Sequence, residues 1–135
     1  MVMVSVETLD REGRREAARV ASRAFLRNPM QLAVFRSEDE RTRKRQEAVF
    51  AALFDHFPGE LFAARWGKPV VGVMGVSPWP DCRYGTLRGL AMLPRLLFAV
   101  RGSMPRALTW LSAWSEFEPK EPHLHLGPVA VLPKM

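Results

Sequence analysis

The sequence predicts an α/β (α+β) fold, a mixed and mainly antiparallel sheet flanked by helices in the order β-α-α-β-β-α-β. Three observations carry this. Arg11, Arg15, Arg19, Arg23 and Arg27 recur every four residues while Ala17, Val20, Ala21, Ala24 and Phe25 fill the other side, as an amphipathic helix requires. Two apolar runs, 61–66 and 70–76, are separated by Gly67-Lys68-Pro69, a loop length that suits an antiparallel hairpin. The run 123–132 has strand character again and comes last.

The elements follow in order. Val2, Val4 and Val6 alternate with Met3 and Ser5, which predicts a short opening strand. Asp10 is placed to cap a helix over 11–26, because its carboxylate can accept from the first free amides. Asn28-Pro29 ends that helix. Met30, Leu32, Val34 and Phe35 form a connector that is unusually apolar for a loop. A second helix runs from Ser37 or Glu38 to His56, with Val49, Ala52, Leu53 and Phe57 as its buried stripe and Pro58-Gly59 as its stop. After the hairpin, Pro78, Pro80 and Asp81 break the pattern. Residues 86–114 read as two or three helical pieces interrupted at Pro94, Gly102 and Pro105. Residues 116–122 form a polar linker to the final strand.

Length and charge bound the function. The chain has 135 residues, room for one domain that can bury roughly two-thirds of its unfolded surface. The single cysteine, Cys82, excludes an internal disulfide and a cysteine-based zinc site. The first ten residues have no secretory character, and the longest apolar stretch is cut by Pro94 and Arg95, so a cytoplasmic protein without a membrane span is expected. The net charge of +6 lies wholly between Arg11 and Arg45, where eleven basic residues face five acidic ones. Such a focus can attract an anionic ligand, or simply form the wet face of a helix. Neither finger spacing nor aromatic–basic interleaving points to nucleic acid.

The functional signal is in 123–133. Pro128 cannot donate to a strand ladder and Gly127 offers no side chain to resist a bend, so a bulge is predicted there. A bulge leaves backbone groups that can accept an extended, amide-bearing ligand as another strand. The run Leu126-Gly127-Pro128-Val129-Ala130-Val131-Leu132-Pro133, with the order of elements, resembles the GCN5-related N-acetyltransferase (GNAT) superfamily. The resemblance implies that Val129, Ala130 and Val131 contact the pantetheine arm of acetyl-CoA, the co-substrate. It also implies that the Phe25 to Phe35 segment and the Arg41-Arg43-Lys44-Arg45 helix start border the site for an amine acceptor. It covers residues 1–135 as the N-terminal part of such a domain, cut after the fourth strand and before the glycine-rich loop that holds pyrophosphate in that family.

Amine acetylation needs a base near neutral pH, which histidine supplies. The family pattern places a basic residue six positions before Val131, which here is His125; His123 lies two residues earlier on the same strand face. Both also read as ordinary strand polar residues. Trp66, Trp79, Trp110, Trp114, Phe98 and Phe117 can line an acceptor pocket or serve as core. Cys82 beside Arg83 lacks a paired histidine, the pair Asp55-His56 is explained by a helix end, and no metal-ligand spacing occurs. The expected function is therefore acetyl-CoA-dependent N-acetyl transfer by the complete domain, with little activity from these 135 residues. The alternative is a non-catalytic interaction module that uses the exposed strand edge, and a homodimer can form through the same edge.

Overall fold

Four strands, β1 (Val4–Thr8), β2 (Glu60–Trp66), β3 (Val70–Pro78) and β4 (Leu124–Val131), lie side by side in that order, each antiparallel to its neighbour. The computed structural model describes residues 3–83 and 86–134. Val2, Met135 and the side chain of Arg83, which enter the reading above, lie outside what is described.

Three helices connect β1 to β2. α1 (Arg11–Phe25) starts where Asp10 accepts from the Gly13 amide at 2.7 Å, as the cap expects. Arg11, Arg15, Arg19 and Arg23 on it and Arg27 just past its end are all exposed, so the solvated-face reading describes them. The apolar connector is itself a helix, α2 (Pro29–Phe35), which corrects the loop reading. Asn28 caps it by accepting from the Met30 amide at 3.0 Å, and Pro29 occupies a first-turn position that needs no N–H. The Asn-Pro pair thus ends one helix and starts the next. α3 (Glu40–Asp55) begins where Asp39 accepts from the Thr42 amide at 2.8 Å. Of the expected stripe, Ala52 and Phe57 are buried, while Val49 and Leu53 are half-buried and Phe50 and Phe54 are buried in their place.

The long β3–β4 connection holds α4 (Thr86–Val100) and α5 (Met104–Phe117). Pro94 does not interrupt α4. It stands on the exposed side, where water can satisfy the Leu90 carbonyl that loses its partner. The break comes instead at Arg101, whose φ of 49° is left-handed and starts a short turn over Arg101–Ser103. α5 extends to Phe117, into what reads as polar linker, and buries none of its residues.

The core lies on one face of the sheet only. Leu61, Ala63, Val70, Val73 and Ala130 from the strands meet Ala17, Ala18 and Ala21 of α1 and Phe50, Phe54 and Phe57 from α3 and its exit. Alanines on α1 let it lie close to the strands, and the phenylalanines fill the space beside it. Polar links fasten the helices. Arg14 donates to the Phe54 carbonyl at 2.8 Å, and Glu16 accepts from the Val70 amide at 3.0 Å. Buried Arg43 donates to Glu40 at 2.8 Å, to Glu47 at 3.1 Å and to the buried Ser22 hydroxyl at 3.0 Å, which joins α3 to α1. The opposite face, with Val4, Val6, Trp66, Met74, Leu126, Val129 and Val131, is apolar and exposed.

Gln46 sits in α3 with no exposure, and both polar atoms of its amide lack a hydrogen-bond partner among the described residues. An unpaired buried amide costs about 1–3 kcal/mol. We expect Gln46→Leu, which keeps the volume, to raise stability by about 1 kcal/mol or more, read as a higher urea midpoint.

The Asp39 and Glu40 carboxyls are held below their usual range, Asp39 by hydrogen bonds from Thr42 and Glu40 by hydrogen bonding from Arg43. Their pKa values are depressed in the folded state, so their stabilisation is present above the normal carboxylate range and lost as pH falls through the lowered values. Asp39→Ala is expected to lower the melting temperature at pH 7, and that difference should shrink as the protein is acidified below about pH 4.

Candidate functional site

β4 is the edge strand that carries the candidate site. Its pairing to β3 shifts between Met74 and Val76: Met74 opposes Val129, but Val76 opposes Leu126. Gly127 and Pro128 therefore stand against the single residue Gly75, which is the bulge expected from the Gly-Pro pair. Gly75 makes room for it. A Cβ at that position would lie 2.7 Å from the Gly127 carbonyl oxygen and 2.5 Å from Phe57 Cζ. The bulge is thus set by a glycine on the neighbouring strand as much as by its own residues.

Past the bulge, Leu132 donates to the Val71 carbonyl at 2.9 Å. Antiparallel pairing repeats every two residues, so Ala130 also turns its backbone groups to β3, opposite Val73. Val129 and Val131 then direct their N–H and C=O groups to the open edge. Ala130 places its methyl in the core, 3% exposed, while the valine side chains lie on the open face. Of the three sequence-expected contact residues, two offer edge hydrogen bonds and the middle one anchors the strand.

His125 pairs across the sheet with Ser77, which is buried on the helix-covered side. Its ring lies against Gly127: a Cβ there would be 3.1 Å from Nε2. The imidazole is half-buried, and its nitrogens make no hydrogen bond to the described residues. His123 lies just before β4 and is held differently. Its Nδ1 is 2.6 Å from the Glu121 carbonyl oxygen, its ring stands 6.5 Å from Trp79, and its backbone carbonyl accepts from Trp79 at 2.9 Å. His123 is tied into the strand entrance, and His125 is the more available of the two.

The aromatic residues do not gather. Trp66 lies on the open sheet face, Phe98 on the outer side of α4, and Trp110, Trp114 and Phe117 are exposed on α5. Trp79 stands against His123 and Phe98 lines the bay described below, so the six share neither one pocket nor one core. Asp55 is engaged by Arg95 at 2.8 Å rather than by the adjacent His56.

Cys82, Glu118 and His123 bring one donor atom each to within 4.8 Å of one another, the metal-capable group among the described residues. The Cys82 thiol is 3.6 Å from a Glu118 carboxylate oxygen, and His123 Nε2 is buried without a hydrogen-bond partner. The three residues come from three separate segments, so no ligand spacing in the chain announces them. Cys82 and Glu118 make further contacts, and the thiol–carboxylate contact accounts for their approach without an ion.

Five cations occupy a second region. Arg41 and Arg45 of α3, with Arg101 from the α4–α5 turn and Arg106 from the first turn of α5, line a cleft of about 320 Å³. A neighbouring bay of about 290 Å³ shares three of them and adds Lys44, Ala48, Phe98 and Ala99. The sequence places the positive surplus in residues 11–45 but not its convergence with Arg101 and Arg106, which only the docking of α4 against α3 creates.

No protein-family model matches this chain, and no curated protein matches it. No helix among the described residues is long and apolar enough to cross a membrane.

Gly75→Ala is expected to destabilise the protein by about 1–3 kcal/mol, the range for forcing extra carbon into a filled site. Amide hydrogen exchange should show the loss concentrated at β4, beyond Leu126. An unchanged exchange pattern there would mean that the bulge does not depend on Gly75.

Proposed function

We propose that the chain is the N-terminal portion of a GCN5-related acetyltransferase domain, whose complete form moves an acetyl group from acetyl-CoA to an amine. The observation that carries the reading is the bulged edge strand, with the Val129 and Val131 backbone groups directed away from β3. A pantetheine arm has alternating amides, and two outward-facing residues separated by one can pair with it as with a strand. The antiparallel order β1-β2-β3-β4, with helices inserted after β1, supports the same reading. The apolar open face supports it too, since such a face calls for another layer to cover it.

In this mechanism the strand holds the thioester and the acceptor nitrogen attacks its carbonyl carbon. His125 takes the ammonium proton, the C–S bond breaks, and CoA leaves as thiolate and then thiol. The α4–α5 insertion between β3 and β4 supplies the wall on the acceptor side.

Calorimetry with acetyl-CoA and with S-acetylpantetheine, which lacks the phosphates, tests the reading. Both ligands are expected to bind, and to shift the amide resonances of Val129 and Val131 more than those of β2. Val131→Pro removes an outward N–H without touching the β3 ladder, so it should leave the fold intact and weaken both ligands about fivefold, one hydrogen bond's worth. If neither ligand binds, the acetyltransferase reading is lost.

A second reading, a non-catalytic interaction module, draws on the extent of the open apolar face. Sedimentation equilibrium separates it: concentration-dependent self-association together with indifference to acetyl-CoA would favour the module.

A further inference from the structure

The arginine cleft has no structural role that accounts for all of its members. Three of them make contacts at helix ends. Arg45 Nε donates to the Ala99 carbonyl at 2.9 Å, and its Nη2 donates to the Val100 carbonyl, at the C-terminus of α4. Arg106 Nε donates to the Val34 carbonyl at 2.7 Å, near the C-terminus of α2. Cations at helix C-termini are favourable. Arg45 and Arg106 also donate to the Ser103 hydroxyl, at 3.5 Å and 3.3 Å, so the two guanidinium groups meet at one atom. In each, Nη1 makes no hydrogen bond among the described residues.

Arg101 Nε likewise donates to the Phe98 carbonyl in the last turn of α4 at 3.0 Å, and its guanidinium lies over the Phe98 ring, 4.7 Å from the centroid, so Arg41 is the member with no such contact among the described residues. Arg41 is exposed, and neither it nor Arg101 pairs with a carboxylate among the described residues. Arg101 occupies a left-handed backbone position, which disfavours any side chain but glycine's absence of one. The four charges oppose one another: burial, then Arg101, Arg41 and Arg106, hold the Arg45 guanidinium below its ordinary pKa, and Asp39 alone acts the other way. A cleft that gathers four cations, none of them in an ion pair with a carboxylate among the described residues, is complementary to a multiply charged anion. Beside it, the bay formed by Ala48, Phe98 and Ala99 is apolar and opens into the same space.

We propose that this cleft binds a small organic phosphate, with the phosphoryl oxygens on Arg41, Arg45, Arg101 and Arg106 and the apolar body of the ligand against Phe98. Guanidinium groups suit this role because each offers paired donors in one plane to adjacent phosphoryl oxygens. The site is independent of β4 and stands whether or not that strand holds a thioester.

Phenyl phosphate and inorganic phosphate are the probes, titrated by calorimetry into the full 135-residue chain at matched ionic strength. Phenyl phosphate is expected to bind saturably and about tenfold more tightly than inorganic phosphate. Arg101→Gly relieves the left-handed backbone but loses the hydrogen bond to the Phe98 carbonyl, so the ligand-free melting temperature should change little while phenyl phosphate affinity falls about tenfold. Arg41→Gln should weaken it similarly. An Arg11→Gln, Arg15→Gln double variant lowers the net charge by two on the far wet face of α1 and should leave binding unchanged. The proposal is overturned if phenyl phosphate shows no saturable binding, if the two probes bind equally, or if the α1 double variant weakens binding as much as Arg101→Gly does.

Discussion

The close seating of α1 on the sheet is the constraint from which the rest follows. Ala17, Ala18 and Ala21 have almost no exposed surface, so the helix axis lies near the strands and leaves a gap that only large side chains beside it can fill. Phe50, Phe54 and Phe57 fill it, and they fix the rotation of α3. Arg43 completes that setting: it is buried, bonded to Glu40, Glu47 and Ser22, and held in its charged form by those carboxylates. With α3 turned this way, Arg41 and Arg45 face α4 rather than α1. The same rotation puts Phe57 under Gly75, where it supports the strand opposite the bulge.

The two regions with functional character draw on this frame in different ways. The β4 edge is a backbone feature. Its value lies in amides and carbonyls turned away from β3, and the side chains there serve mainly to pin the strand, Ala130 most of all. The arginine cleft is a side-chain feature made where three helix ends meet. Three of its guanidinium groups satisfy orphan carbonyls of α2 and α4, so part of the positive field is a by-product of ending helices properly. Arg41 goes beyond that need.

The uncovered apolar face and the bare α5 form the other large theme. A sheet buried on one side and apolar on both is out of balance for an isolated domain. The acetyltransferase reading and the interaction-module reading give this face different occupants, but both require one. The β4 edge adds a row of unpaired backbone groups beside it, so the surface most open to another chain is also the surface that carries the candidate site.

Local chemistry settled much of this protein from sequence alone. Asp10 and the spacing of α1, the Gly67-Lys68-Pro69 hairpin and the Gly127-Pro128 bulge all rest on interactions within a few residues, and each is found where expected. The misreadings have a common cause. The 29–35 segment looks like a loop because a helix of seven residues shows barely two turns of pattern, and Pro94 looks like a break because a sequence does not show which side of a helix meets water. Ala52 and Phe57 of the α3 stripe are buried as expected, but Phe50 and Phe54 replace Val49 and Leu53 because these two adjacent apolar registers compete, and the alanine face of α1 selects between them. Tertiary structure alone decided what joins distant segments: Gly75 beneath the bulge, Arg101 and Arg106 beside Arg41 and Arg45, and Cys82 near Glu118 and His123. Spacing along a chain reports neighbours on one element, whereas these sites are made by elements that meet only after the core has closed.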